Sequence, residues 1–420
     1  MLAQGKLKCT LSSGELTFFC SKSHCAANKK EKFIPQEKKG KFFIEGEENM
    51  TATRGLEGVV ATTSAVSSII DDMLTYRGYN IDDLTSYATF EEVVYLLWHG
   101  KLPNEGELSE FTRLLSENAE LPKEVVDHFS TYPVEKVHPM AALRTAVSLL
   151  GLYDEEADSV EEEANYRKAI RLQAQLPTIV TTFARIRKGL DPIAPKKEYG
   201  LAKNFLYMLN GEEPSDIAVE AFNKALVLHA DHELNASTFT GRVCVATLSD
   251  MYSGLTAAIG ALKGPLHGGA NEAVMKMLSD IGDVDRVDSY IQAKLDGKEK
   301  IMGFGHRVYR EGDPRAKHLR EMSRKLADVT GEKKWYEMSL KIEDLVTSQK
   351  DLPPNVDFYS ASVYHSLKID HDLFTPIFAV SRVSGWIAHI LEQYSNNRLI
   401  RPRAEYIGPD KQAYVSIEDR

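Results

Sequence analysis

From residue 80 onward, apolar positions recur mainly at three- and four-residue spacing, and strict alternation is rare, which predicts amphipathic helices rather than sheet. The exception is residues 57–81, where Val59-Val60, Ile69-Ile70 and Leu74-Thr75-Tyr76 are broken by turn and hydroxyl residues and predict short strands or irregular chain. Thr89 predicts the N-cap of a helix Phe90–His99, with Glu91 and Glu92 in its first turn. Glu107–Glu117, Pro122–Phe129, Met140–Leu150 and Leu201–Leu209 read as further helices. Tyr166–Lys188 is helical in pattern, with a kink or fresh start at Pro177. Ser215 is expected to cap a helix running to about His232. Arg242–Leu262 reads as one helix whose Ala, Gly, Ser and Thr imply close helix contact, with Met251, Leu255 and Ile259 as a packing ridge.

In the second half, helices are expected over Asn271–Leu278, Ser289–Leu295, a segment capped by Asp313 through Leu326, Lys334–Glu343, Ser360–Leu367 and Asp372–Gln393. No βαβ alternation and no dinucleotide-type glycine fingerprint occurs in the sequence, so the fold class is mainly α. At 420 residues, two domains are expected.

Composition narrows the function classes. A net charge of -10, well mixed along the chain, argues against a dedicated nucleic-acid binder. No run reaches the 18 or more apolar residues expected of a membrane span, and Met1–Lys8 carries no secretory pattern, so a cytoplasmic protein is the expectation. Residues 1–49 differ from the rest: nine lysines, no arginine and six glutamates, too few apolar residues for a core, and a flexible composition. We expect this segment to be a disordered or non-native extension, with Met50 as the functional start. Of the four cysteines, Cys9, Cys20 and Cys25 fall here at spacings that match no strong zinc pattern; His24 beside Cys25 is a weak metal pair, and no metal site is expected.

Candidate chemistry gathers between Leu226 and Arg315. Three clusters stand out: His229-Ala-Asp-His-Glu233, Lys263-Gly-Pro-Leu-His-Gly-Gly-Ala-Asn271, and Gly303-Phe-Gly-His-Arg-Val-Tyr-Arg310 with Asp313-Pro-Arg315. Glycines crowd His267 and His306, where they let backbone approach a ligand closely. With Asp357, Arg310, Arg315, Arg382 and either Arg401 or Arg403, the set suits a small polyanionic substrate, because arginine meets carboxylates bidentately. Histidines can donate to a carbonyl or developing enolate, and an aspartate can remove a proton next to that carbonyl. This is enolisation chemistry with no obligatory metal. Taken singly, His229 and His232 could be a metal pair or helix-terminal residues satisfied by backbone, Asp357 could be a helix cap, and Arg382, in an apolar helix, needs an anionic partner of either kind.

Together with Pro354-Asn-Val-Asp357, these clusters resemble, in order, the signature segments of the citrate synthase family. The resemblance runs from about Met50 to the C-terminus, and Met50-Thr-Ala-Thr-Arg-Gly-Leu-Glu-Gly is similar to the start of the short bacterial, Bacillus-like form. It implies a two-domain helical homodimer, with a large domain of 50–269 plus 371–420 and a small domain of 270–370. It implies condensation of acetyl-CoA, as cosubstrate with no permanently bound cofactor, with oxaloacetate and water to give citrate and CoA. His267, His306 and Asp357 would be catalytic. His232, Arg315 and Arg382 would bind oxaloacetate, joined across the dimer by Arg401. Ile301, Met302, Gly303, Phe304, Gly305, Arg310 and Lys350 would bind CoA. The same family includes 2-methylcitrate synthases, which take propionyl-CoA, and one methylene in an apolar pocket is worth only about 1–3 kcal/mol of discrimination. ATP-dependent citrate lyases share the module, but no phosphate loop or CoA-ligase segment is evident in the sequence.

Overall fold

The computed structural model describes residues 11–12, 15–16, 54–56, 58–306, 308–309 and 311–420. Two compact units are defined. One comprises residues 1–59 and 404–420, the other Val60–Arg403. In the first, Leu11–Ser12 pairs antiparallel with Glu15–Leu16, and single turns of 3₁₀ helix form at Arg54–Leu56 and Ile417–Asp419. Beyond those short pairs, the expectations for residues 1–49, including His24 and Cys25, lie outside the described residues.

The unit Val60–Arg403 is mainly helical. Among its described residues the one sheet is a small antiparallel meander, Ser67–Ile70, Met73–Tyr76 and Tyr79–Asn80, with Ile69 opposite Leu74 and Tyr76 opposite Tyr79. Local chemistry sets the helix starts. Thr89 and Glu92 form a reciprocal capping box for Phe90–His99, and Asn104 with Glu107 does the same for Glu105–Glu117. Helix ends at Gly100, Gly211, Gly282 and Gly331 adopt the left-handed conformation that glycine tolerates best.

Several helices differ from the sequence reading. Glu162–Ile186 is continuous through Pro177, which neither starts nor ends it. The segment read as one helix from Arg242 is two, Ala236–Val245 and Met251–Leu262. Leu248 takes φ +66° between them, and the Asp250 side chain accepts the Ser253 N–H to start the second. The two helices pack closely through small residues, a Cβ on Gly241 falling 3.5 Å from the Gly254 carbonyl, and Met251, Leu255 and Ile259 are fully buried as expected. The helix Asp216–His229 stops before His232, and Val356–Ser366 starts before Asp357, because Asn355 accepts the Asp357 N–H as its cap.

The core is built around Phe374–Ser395, which packs against Phe90–His99, Glu162–Ile186, Asp216–His229, Ala236–Val245 and Met251–Leu262. By length and composition this helix, extended to His371, meets the measure of a membrane span, as core helices of globular proteins also do. Its apolar stretch is buried inside the protein, which is why its polar Ser381, Arg382, Ser384 and His389 find internal partners. Gly385 permits its closest approach: its N–H donates to the Ala230 carbonyl at 3.1 Å, and a Cβ there would overlap Asp231 and that carbonyl. A further set of helices, Ala270–Ile281, Val287–Asp296, Ala316–Thr330, Lys334–Lys350 and Val356–Ser366, pack largely on one another.

Candidate active site

The site forms where three irregular segments meet the buried helices. His232 follows the end of Asp216–His229, His267 sits in the loop joining Met251–Leu262 to Ala270–Ile281, and His306 follows the glycine loop 303–305. That loop is stapled to the segment before Asp357. Gly305 N–H donates to the Pro353 carbonyl, Asn355 N–H to the Gly303 carbonyl and Asn355 Nδ2 to the Gly305 carbonyl, each at 2.9 Å. Gly303 has φ +85°, and a Cβ there would lie 2.8 Å from both Phe358 and Val274, so this position accepts only glycine without distortion.

The protonation state of each candidate follows from its surroundings. Burial drives His267 and His306 down to about 4, helped by Arg382 at the first and Arg315 at the second, so both rings are neutral at pH 7. His306 Nδ1 receives the backbone N–H of Val308 (3.1 Å) and of Tyr309 (3.3 Å). Backbone N–H groups only donate, so the ring's single proton is on Nε2. At His267 the Ser237 N–H reaches Nε2 at 3.3 Å, and the Ser237 hydroxyl lies 2.8 Å from the same nitrogen. The site therefore holds two neutral imidazoles, each with one ring N–H to donate. His232 is driven well below its ordinary value, by burial first and then by Arg315 and Arg382.

Asp357 has the complementary character. Its Oδ1 is buried with no hydrogen-bond partner, and burial pushes the carboxyl up to about 6 against the pull of Arg315 and Arg382. A carboxylate so poorly solvated and so little hydrogen-bonded is a stronger base than a surface one. Arg315 is buried and donates through Nε and Nη2 to the two oxygens of Asp313, both at 2.8 Å; burial opposes its charge, and Asp313 more than offsets this. Asp313 also accepts the Val356 N–H at 2.9 Å, which ties Arg315 to the start of the Asp357 helix. Arg382 is buried above Phe378, and its Nε donates to the His229 carbonyl at 2.7 Å. No carboxylate pairs with it among the described residues, and burial lowers it to about 10. A buried guanidinium left without an acid is a ready seat for an anionic ligand.

The structure thus brings together His232, His267, His306, Asp357, Arg315 and Arg382. His229 is not a ligand candidate: its ring bonds the Ala225 carbonyl at 2.7 Å inside its own helix and is held neutral by burial at about 3. Among the described residues, no group of three or more His, Cys, Asp or Glu could hold a metal ion. Ile301–Gly305 forms the stapled loop described above. Lys350 is exposed at the end of its helix, and Arg401 and Arg403 are exposed in the extended chain after Ser395, away from the cluster's contacts. Arg310 lies outside the described residues. The sequence reading missed two participants. Asp313 was read only as a cap, although a buried arginine two residues on demands a carboxylate; Tyr309, whose hydroxyl lies 3.0 Å from His232 Nε2, had no distinguishing signal.

Residues 55–403 match the family model described as "Citrate synthase, C-terminal domain". The chain is 74% identical over 371 residues to "Citrate synthase 2" of Bacillus subtilis, covering 88% of this chain and all of that protein. It is 44% identical to "2-methylcitrate synthase 2" of Corynebacterium glutamicum, over 87% of this chain and 97% of that one. Among solved structures, it superposes with a TM-score of 0.82 and 36% identity on the citrate synthase of Thermoplasma acidophilum solved as a ternary complex with carboxymethyl coenzyme A and oxaloacetate, covering 87% of this chain and 98% of that one.

Proposed function

The chain belongs to the citrate synthase family and, as an acyltransferase, condenses acetyl-CoA with oxaloacetate and water to give citrate and CoA; on that premise we propose how its site divides the work. Asp357 removes a methyl proton from acetyl-CoA as His267 hydrogen-bonds the thioester oxygen and stabilises the enol or enolate. The new carbon–carbon bond forms at the ketone carbon of oxaloacetate, whose oxygen His306 Nε2–H polarises. Water then cleaves the citryl thioester, releasing CoA. The observation that carries this reading is the Asp357 carboxyl, its buried Oδ1 without a partner and its pKa pushed up to about 6, sharing Arg315 and Arg382 as neighbours with two neutral imidazoles. A thioester α-proton is weakly acidic, so its removal needs donors fixed in a dry site.

His232, Arg315 and Arg382 hold oxaloacetate, with Arg401 contributed by the second subunit of a homodimer; its exposure on the single chain leaves it available for that role. Ile301–Gly305 takes the adenine through its backbone, with Arg310 and Lys350 at the CoA phosphates. The helices from Ala270 to Ser366 form a small domain, residues 270–370, that closes on a large domain of 50–269 and 371–420. The enzyme works in the cytoplasm. The alternative acyl donor is propionyl-CoA, and the 74% against 44% identities favour acetyl-CoA. Free-thiol release with oxaloacetate present and absent, run in parallel with both thioesters, tests this. Oxaloacetate-dependent release favouring acetyl-CoA is expected; preference for propionyl-CoA overturns the donor assignment and leaves the mechanism standing.

A further inference from the structure

Tyr309 touches three members of the site. It is buried, its hydroxyl lies 3.0 Å from His232 Nε2, and its ring centroid is 4.6 Å from that of His306. The Arg315 guanidinium stands 5.8 Å above its ring, and its backbone N–H contributes to fixing His306. Burial keeps the phenol protonated, so its hydroxyl can either donate to Nε2 or accept from it, and in both cases it occupies that nitrogen.

The ring of His232 lies 5.2 Å from that of His306, and its Nε2 is already occupied by the Tyr309 hydroxyl. A carboxylate oxygen can reach that nitrogen only after the hydroxyl withdraws. We propose that Tyr309 is a latch on the substrate-binding nitrogen of His232: its hydroxyl stands in the place of an oxaloacetate oxygen in the empty site and competes with substrate for that nitrogen. The inference rests on the reading of His232 as an oxaloacetate ligand. Because the same tyrosine leans on His306 and Arg315, its release also couples oxaloacetate arrival to a rearrangement of the segment that carries the catalytic imidazole.

Isothermal titration of oxaloacetate into the full-length protein tests the latch. Tyr309→Phe keeps the ring and removes the competing hydroxyl, so binding should tighten about fivefold, the worth of one net hydrogen bond. In a His232→Asn background the same substitution should change nothing. Binding that weakens or stays equal in Tyr309→Phe, or a gain that persists without His232, overturns the latch while wild-type binding upholds the site. No oxaloacetate binding by the wild type overturns the reading of the site, and the latch with it. Melting temperatures of each variant confirm that folded protein is being compared.

Discussion

Asp357→Asn should abolish turnover and, above neutral pH, stabilise the protein relative to its behaviour in acid. The reasoning is linkage. Asp357 titrates near 6 in the folded chain against 3.8 ordinarily, so folding disfavours its charged form. Below 3.8 the group is protonated in both states and costs nothing. As pH rises, the unfolded chain gives up its proton first, and folded stability falls until the folded group ionises near 6. Asparagine never ionises and escapes this penalty, which is about 1 kcal/mol at pH 4.5 and about 3 kcal/mol at pH 8. Any fixed cost of burying the amide is the same at both pH values and cancels in the comparison. The stability of Asp357→Asn relative to wild type should therefore improve by about 2 kcal/mol between pH 4.5 and pH 8. For a chain of this size that is a relative gain of roughly 2–4 °C in melting temperature. Scanning calorimetry of both proteins at the two pH values reads it directly. A variant whose relative stability is independent of pH, or moves the other way, would refute the account of Asp357 as a buried base under strain.

Other expectations follow from the same geometry. His267→Ala removes a donor to the thioester oxygen and should lower kcat about 10²–10³-fold with smaller effect on the KM of oxaloacetate, as steady-state kinetics will show. Arg382→Met keeps the buried volume and deletes a guanidinium that no carboxylate among the described residues pairs with; oxaloacetate binding should weaken at least about 100-fold by titration while the fold survives chemical denaturation as well as wild type. Asp313→Asn leaves Arg315 buried and unpaired and should cost about 3–5 kcal/mol of stability, read by the denaturation midpoint. Gly303→Ala forces a side chain into Phe358 and Val274 at a positive φ, and should both lower the melting temperature and depress activity by displacing the staple that holds Asp357.

The legible parts of this chain were those governed by local chemistry. Thr89 with Glu91 and Glu92 after it declared a helix start, the spacing of Met251, Leu255 and Ile259 declared a buried ridge, and glycines around His267 and His306 marked places where backbone must turn or approach closely. Where tertiary contacts decide, the sequence was a poorer guide. The break at residues 246–250 depends on Leu248 adopting a left-handed conformation, which nothing in a run of small and apolar residues announces. Pro177 does not start a new helix: the chain stays helical through it, held by packing on its neighbours. Asp357 read equally well as a cap until the burial of its carboxylate, set by Arg315, Arg382 and the helices around them, gave it the character of a base. Arg382 looked anomalous in an apolar helix, and the structure explains the helix, whose apolar stretch is buried, while no carboxylate among the described residues pairs with the guanidinium.

The most direct test of the central claim is the rate of oxaloacetate-dependent CoA release from acetyl-CoA by wild type and by Asp357→Asn, measured across the range around pH 6. The wild type should lose activity in acid along a limb centred near 6, and the variant, folded and still binding oxaloacetate, should release thiol at least about 100-fold more slowly at every pH. A variant that turns over at the wild-type rate would show that some other group takes the proton and would contradict the assignment of Asp357 as the base.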